Sequence, residues 1–224
     1  MIRLSQKPKN LVREHLEALH TSSELTRWFR RVREPNVEKV TVERIIAVLY
    51  REGINPVLMG THGLIGYRSE PRATQDVDVL VTKKDVRKAA RVLNEEYPYL
   101  EVRDSSVVMR FVDPVSQKVV IDVMKPTSQT MRMVFRHSLK IGKTHRIPAL
   151  EMALICKFDA MTAPNRREDK RLIDLGDFVN VVMNNRSTLD LEKLERIGNL
   201  MNRRRGSAIL RIVEDIDAGR RVHL

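Results

Sequence analysis

The sequence predicts an α/β (α+β) fold, with a mixed β-sheet core, helices before it and a helical C-terminal region after it. Three observations lead there. Short apolar runs of strand length, bounded by Gly, Pro and polar clusters, crowd into residues 55–124. Ahead of them, residues 10–51 carry apolar side chains at helical spacing among charges. From Pro148 onward the spacing is helical again, interrupted by polar links such as Asn184-Asn185-Arg186-Ser187. The division expected is an N-terminal helical segment over 1–53, a core over 54–147 and a C-terminal helical region over 148–224.

Taken in order, Leu11, Leu16 and Leu19 mark a helix over 10–20. The hydroxyls of Thr21-Ser22-Ser23 suit the N-cap of a second helix, with Leu25, Trp28, Phe29 and Val32 as an apolar core stripe beside Arg27, Arg30, Arg31 and Arg33. The same arginines and aromatics also fit an RNA-contacting ridge. Glu34-Pro35-Asn36 ends that helix, a third runs from Val40 to Arg51, and Glu52-Gly53 stops it before a strand at 55–59. A second strand covers Asp76–Val81, and a basic amphipathic helix follows to about Glu95. Ser106–Val112 and Lys118–Met124 flank Asp113-Pro114-Val115-Ser116-Gln117 and pair as an antiparallel hairpin. A helix over Met131–Ser138, an extended stretch over Thr144–Ile147, a helix opened by Pro148-Ala149-Leu150-Glu151, and helices over 190–201 and 203–217 complete the chain.

The chemistry gathers in Val57–Thr82. Asp76-Val77-Asp78-Val79 alternates strictly, so on a strand both acids point to one face and both valines to the other. Like charges so placed repel, and a divalent cation removes the conflict; hard carboxylate oxygens suit Mg²⁺ or Mn²⁺. A solvated strand face is the other reading of such a pair. Sixteen residues upstream, an apolar run ends at Gly60-Thr61. A glycine there lets backbone N–H groups approach phosphate oxygens, and the hydroxyl adds a donor. Arg72 and Thr74 stand just before the acids. Asp122 interrupts the apolar run Val119–Met124, which is costly for an acid without a partner. A third metal carboxylate supplies one explanation, and a lone Asp at a strand edge, or one paired with an arginine, is the alternative.

Met59-Gly60-Thr61-His62-Gly63-Leu64, followed by Arg72-Ala73-Thr74-Gln75-Asp76-Val77-Asp78-Val79-Leu80-Val81, resembles the nucleotidyltransferase superfamily. In particular it resembles the AbiEii-like toxins of abortive-infection and toxin–antitoxin systems. The resemblance covers roughly residues 55–180 and is strongest over 57–81. It implies a nucleotidyltransferase fold and transfer of a nucleoside monophosphate from an NTP to an acceptor hydroxyl. Asp76, Asp78 and Asp122 would be the catalytic and metal-binding residues, with Mg²⁺ or Mn²⁺ as cofactor. Gly60, Thr61, Arg72 and Thr74 would be on the nucleotide. So would Lys157, on a helix similar to the family's LE-x-L-x-x-x-K-x-x-A element, although a lysine snorkelling to solvent fits the sequence too. Asn165–Asp177 is similar to the family's Arg-rich block with D-x-x-D, in a register that fits Asp169 or the Asp174/Asp177 pair. Surface charge pairing is the expectation for those acids. Thr61 and His62-Gly63 depart from the family's usual small residues.

The formal net charge of +12 favours a polyanionic partner. RNA, with tRNA preferred, is the expected acceptor, and a cognate antitoxin is a partner that the resemblance brings with it. A protein or small-molecule (antibiotic) acceptor, or a non-catalytic RNA- or partner-binding module, remains open. The single Cys156 excludes an internal disulfide and CxxC chemistry, and reads as a small core residue. The histidines at 15, 20, 62, 137, 145 and 223 show no zinc spacing. There is no P-loop and no G-x-S-x-G elbow. No apolar run has the length of a membrane span, so a cytoplasmic protein with no membrane partner is expected.

Overall fold

The computed structural model describes residues 11–222; Asn10, at the head of the expected first helix, and His223 lie outside them. Among the described residues the strands β1 (Val57–Leu58), β2 (Val77–Leu80), β3 (Glu101–Asp104), β4 (Val108–Val112), β5 (Val119–Met124), β6 (Ser138–Ile141) and β7 (His145–Pro148) form one mixed sheet. Its order is β3-β4-β5-β2-β1-β7-β6. Helices α1 (Leu11–Arg33) and α2 (Val42–Arg51) precede it. Within it lie α3 (Gly60–Leu64), α4 (Val86–Glu96) and α5 (Gln129–Arg136), and α6 (Leu150–Met161), α7 (Glu168–Asn184), α8 (Leu191–Met201) and α9 (Arg205–Asp217) follow. The expected α/β architecture is therefore present.

The pairing of β2 with β5 is parallel, with Asp78 opposite Asp122, and such a pair needs a crossover between its strands. Helix α4 with β3 and β4 supplies it. Val77, Val79, Ile121 and Val123, on the face opposite the acids, are fully buried. The expected β4–β5 hairpin is antiparallel, with Arg110 opposite Asp122. No helix among the described residues is long and apolar enough to cross a membrane.

Four expectations need correction. Residues 11–33 form one helix rather than two, because the hydroxyls at 21–23 do not cap. Thr21 Oγ1 donates to the carbonyl of Glu17, Ser22 Oγ to the carbonyl of Arg72 (2.6 Å), and Ser23 Oγ to Glu43 Oε2 (2.6 Å). The same helix turns its apolar stripe outward: Trp28 is 68% exposed and Val32 66%. Its inward face is polar, made of His15, Ser22, Ser23, Thr26 and Arg30 around Leu19. Pro148 closes β7 instead of opening α6, which begins at Leu150 with Ala149 as its N-cap. Finally, β3 and β6 had no counterpart in the sequence reading, and Ser138 belongs to β6 rather than to the preceding helix.

The inverted face of α1 generates a contrast. Arg30 is 1% exposed and donates to the carbonyls of Val37, Val40 and Gln75. Arg30→Ala strips all three of a charged donor and lowers stability by about 3 kcal/mol in urea unfolding, whereas Trp28→Ser changes it by less than about 0.5 kcal/mol. Comparable losses in the two variants would contradict this orientation.

Candidate metal and nucleotide site

The site is built where β1 gives way to α3 beside β2. Met59 N–H donates to the carbonyl of Asp78 (2.9 Å), which draws the turn at Gly60 against the aspartate. Gly60 has φ +55, and a Cβ there would stand 2.0 Å from Asp78 Oδ2. Only glycine meets both demands. Thr61, the next residue, is buried in the first turn of α3.

Strand alternation puts Asp76 and Asp78 on one face, and the parallel register adds Asp122 from β5. Each of these half-buried carboxylates offers an oxygen, and the three oxygens lie within 4.8 Å of one another. The fit to a divalent cation rests on that geometry and on two further observations. The donors are all hard oxygens, and Asp122 Oδ1 is buried without a hydrogen-bond partner among the described residues. Arg110 Nε stands 3.5 Å from it as an ion-pair partner, the arginine pairing that the sequence offered as an alternative. Burial, with repulsion from Asp76 and Asp122, pushes the Asp78 carboxyl well above the usual range against the pull of Lys157 and Arg166. Burial pushes Asp122 up to about 6, with Arg110 opposing and Asp76 adding to the shift. Thr74 Oγ1 donates to Asp76 Oδ1 at 3.5 Å.

Beside the triad stands a cluster of cations. Lys157 is 8% exposed and does not snorkel to solvent. Its Nζ donates to Asp174 Oδ1 and to Asp177 Oδ2, both at 2.8 Å. Arg166 pairs with Asp174 (2.6 Å), while Arg72 (3.2 Å) and Arg68 pair with Asp177. Asp174 and Asp177 are thus buried structural anions rather than a surface pair, and Asp169 is the exposed one, bound to Arg167. Burial alone would raise the Asp177 carboxyl, but Lys157, Arg72 and Arg68 hold it below the usual range. Four cations meet two carboxylates here, so positive charge is in surplus at the edge of an acidic centre. Arg68 and Arg110 were missed in the sequence. Arg110 was findable, since it lies within a strand of the predicted hairpin; Arg68 sits in a polar loop with no periodic signal. Cys156 packs against the core as expected, and burial pushes its thiol up to about 12.

No protein-family model matches the sequence, and no curated protein does. Among solved structures, the chain is similar to the crystal structure of an antigenic nucleotidyltransferase-like protein from Paracoccidioides brasiliensis. The identity is 15%, over 84% of this chain and 94% of that one, with a TM-score of 0.45. The functional reading rests on the residues of the site.

Two outcomes are expected. Gly60→Ala, which forces Cβ into Asp78, abolishes Mn²⁺ binding measured by electron paramagnetic resonance; retained binding would overturn the account of the turn. The second concerns pH. A carboxyl whose folded pKa lies above its unfolded value binds extra protons in the folded state, so its contribution to stability falls as pH rises from about 4 through 6. In chelator, Asp122→Asn therefore melts about 5 °C above the parent at pH 7, and the gap closes near pH 4. A gap that widens on acidification would reverse the sign assigned to this group.

Proposed function

We propose that the protein is a metal-dependent nucleotidyltransferase that moves a nucleoside monophosphate from an NTP to an acceptor hydroxyl. The observation that carries the reading is the convergence of Asp76, Asp78 and Asp122 within 4.8 Å beside a surplus of buried and half-buried cations. A carboxylate triad calls for a divalent metal, and an adjoining positive cluster suits a polyphosphate.

Asp76, Asp78 and Asp122 would hold Mg²⁺ or Mn²⁺. When bound, such an ion neutralises charge on the reacting phosphate oxygens and lowers the pKa of the attacking hydroxyl. The remaining work belongs to the chain. The Gly60 turn admits the β- and γ-phosphates to the backbone, with Thr61 beside it. Arg72 and Lys157 stand where charge builds as pyrophosphate leaves, positioned by Asp177, which both of them touch. The acceptor oxygen bonds to the α-phosphorus while the bond from that phosphorus to the pyrophosphate oxygen breaks, and the hydroxyl proton leaves toward the Asp122 carboxylate. The net charge of +12 supports an RNA acceptor, with tRNA preferred. The AbiEii-like resemblance over residues 57–81 supports a toxin role in the cytoplasm, restrained by a cognate antitoxin.

The test is incubation with each α-labelled NTP, Mg²⁺ and total cellular RNA, alongside the Asp76→Ala, Asp78→Ala double variant. Label in a discrete RNA band, dependent on the acids, is the expected result. Label on protein would replace the RNA acceptor with a protein one, and label independent of the acids would overturn the metal site.

A further inference from the structure

The sheet carries more charge in register than the triad alone. Across β3, β4, β5 and β2 the paired residues run Arg103, Arg110, Asp122, Asp78. Laterally paired residues share a face, and neighbouring strands lie about 4.8 Å apart. Two guanidinium groups therefore continue the line of the metal carboxylates outward to the edge of the sheet. Both are open to solvent, Arg110 at 52% and Arg103 at 46% of the side chain. Both are also held by weak, exchangeable partners. Arg110 faces the half-buried Asp122 at 3.5 Å, and Arg103 donates to the exposed Glu101 Oε2 (2.7 Å) and Gln117 Oε1 (2.6 Å).

The cations around the triad divide into two sets. Lys157 and Arg166 act on Asp78, whereas Arg110 acts on Asp122 from the opposite flank. The first set is locked to buried carboxylates beside the Gly60 turn, where the proposed function places the donor's phosphates. The second lies on open sheet, with room for an extended chain.

We propose that Arg110 and Arg103 form a phosphate track for the backbone of a single-stranded nucleic-acid acceptor, and that Asp122 restrains Arg110 until a divalent cation takes that carboxylate. This rests on the nucleotidyltransferase reading for the metal and for the acceptor's role. The exchange follows from charge: a divalent cation on Asp122 takes up the negative charge that holds Arg110 and repels the guanidinium 3.5 Å away, and a guanidinium released on an open face takes a phosphate in bidentate fashion. Metal binding and acceptor binding are thereby coupled, each favouring the other.

Binding of a labelled single-stranded RNA oligonucleotide, titrated with salt in Mn²⁺ or in EDTA, reads the track without any turnover. The parent is expected to bind several-fold tighter in Mn²⁺. Arg110→Ala loses that enhancement, and its slope of log K against log salt falls by about 0.7, the value for one lost phosphate contact on a single strand. Arg103→Ala loses a similar slope and keeps the Mn²⁺ response, and Arg110→Lys retains most of the parent's slope. Parent-like affinity and slope in both alanine variants would overturn the track. A loss of NTP affinity instead of oligonucleotide affinity would assign the arginines to the donor and overturn it equally. Electron paramagnetic resonance of Mn²⁺ in the same samples separates the two levels. Absent Mn²⁺ binding sinks the reading of the triad, whereas bound Mn²⁺ with no effect on RNA affinity sinks the exchange alone.

Discussion

The parallel pairing of β2 with β5 is the constraint on which the site depends. It sets Asp78 beside Asp122, and a slip of one residue would send Asp122 to the opposite, packed face. Two charges 4.8 Å apart repel by about 3 kcal/mol at an effective dielectric of 20, and there are three such pairs. Burying Val77, Val79, Ile121 and Val123 contributes roughly 1.5–3 kcal/mol each. The repulsion is thus comparable with what those four side chains contribute. A divalent cation would relieve that repulsion.

The second device is the ion network around Lys157. A lone buried ammonium would be intolerable, and a single partner would leave N–H donors unsatisfied. Here Lys157 binds two carboxylates, and each of those binds at least one arginine. The pairs join α6 to α7 and both to the loop bearing Arg68 and Arg72. Removing Asp177 leaves the largely buried Arg68 without its carboxylate and Lys157 with one partner instead of two, a loss of about 3–5 kcal/mol. The network therefore works as a geometric clamp, fixing where Arg72 and Lys157 stand relative to Asp78.

Much of the site was legible because its chemistry violates local pattern. Asp76 and Asp78 alternate with valines, and Asp122 sits in an apolar run, so each acid stood out where a bland strand would carry none. The β4–β5 hairpin was legible from the turn-rich Asp113–Gln117 between two strand-like runs. What escaped lacked such a signal. Strand β3, Glu101–Asp104, is exposed throughout and is a strand only because β4 pairs with it. Asp174 and Asp177 look like ordinary helix charges until α6 brings Lys157 to them. Helix α1 misled because hydrophobic spacing selects Leu25, Trp28, Phe29 and Val32, whereas its packing uses Ser22, Thr26 and Arg30.

That inversion has a geometric basis. Residues four apart on a helix are about 6 Å apart along its axis, and residues two apart on an extended chain are about 6.7 Å apart. Ser22 and Thr26 thus match one two-residue step of the chain leading into β2, from Arg72 to Thr74, and Arg30 reaches one residue further, to Gln75. Ser22 donates to the carbonyl of Arg72, Thr26 accepts from Thr74 N–H at 3.1 Å, and the longer Arg30 reaches the carbonyl of Gln75 at 2.5 Å. Apolar contacts would tolerate sliding, whereas directional hydrogen bonds at matched spacing fix both register and reach. The polar inward face of α1 sets the approach to Asp76, and so brings Arg72, Thr74 and the first carboxylate of the triad into place together.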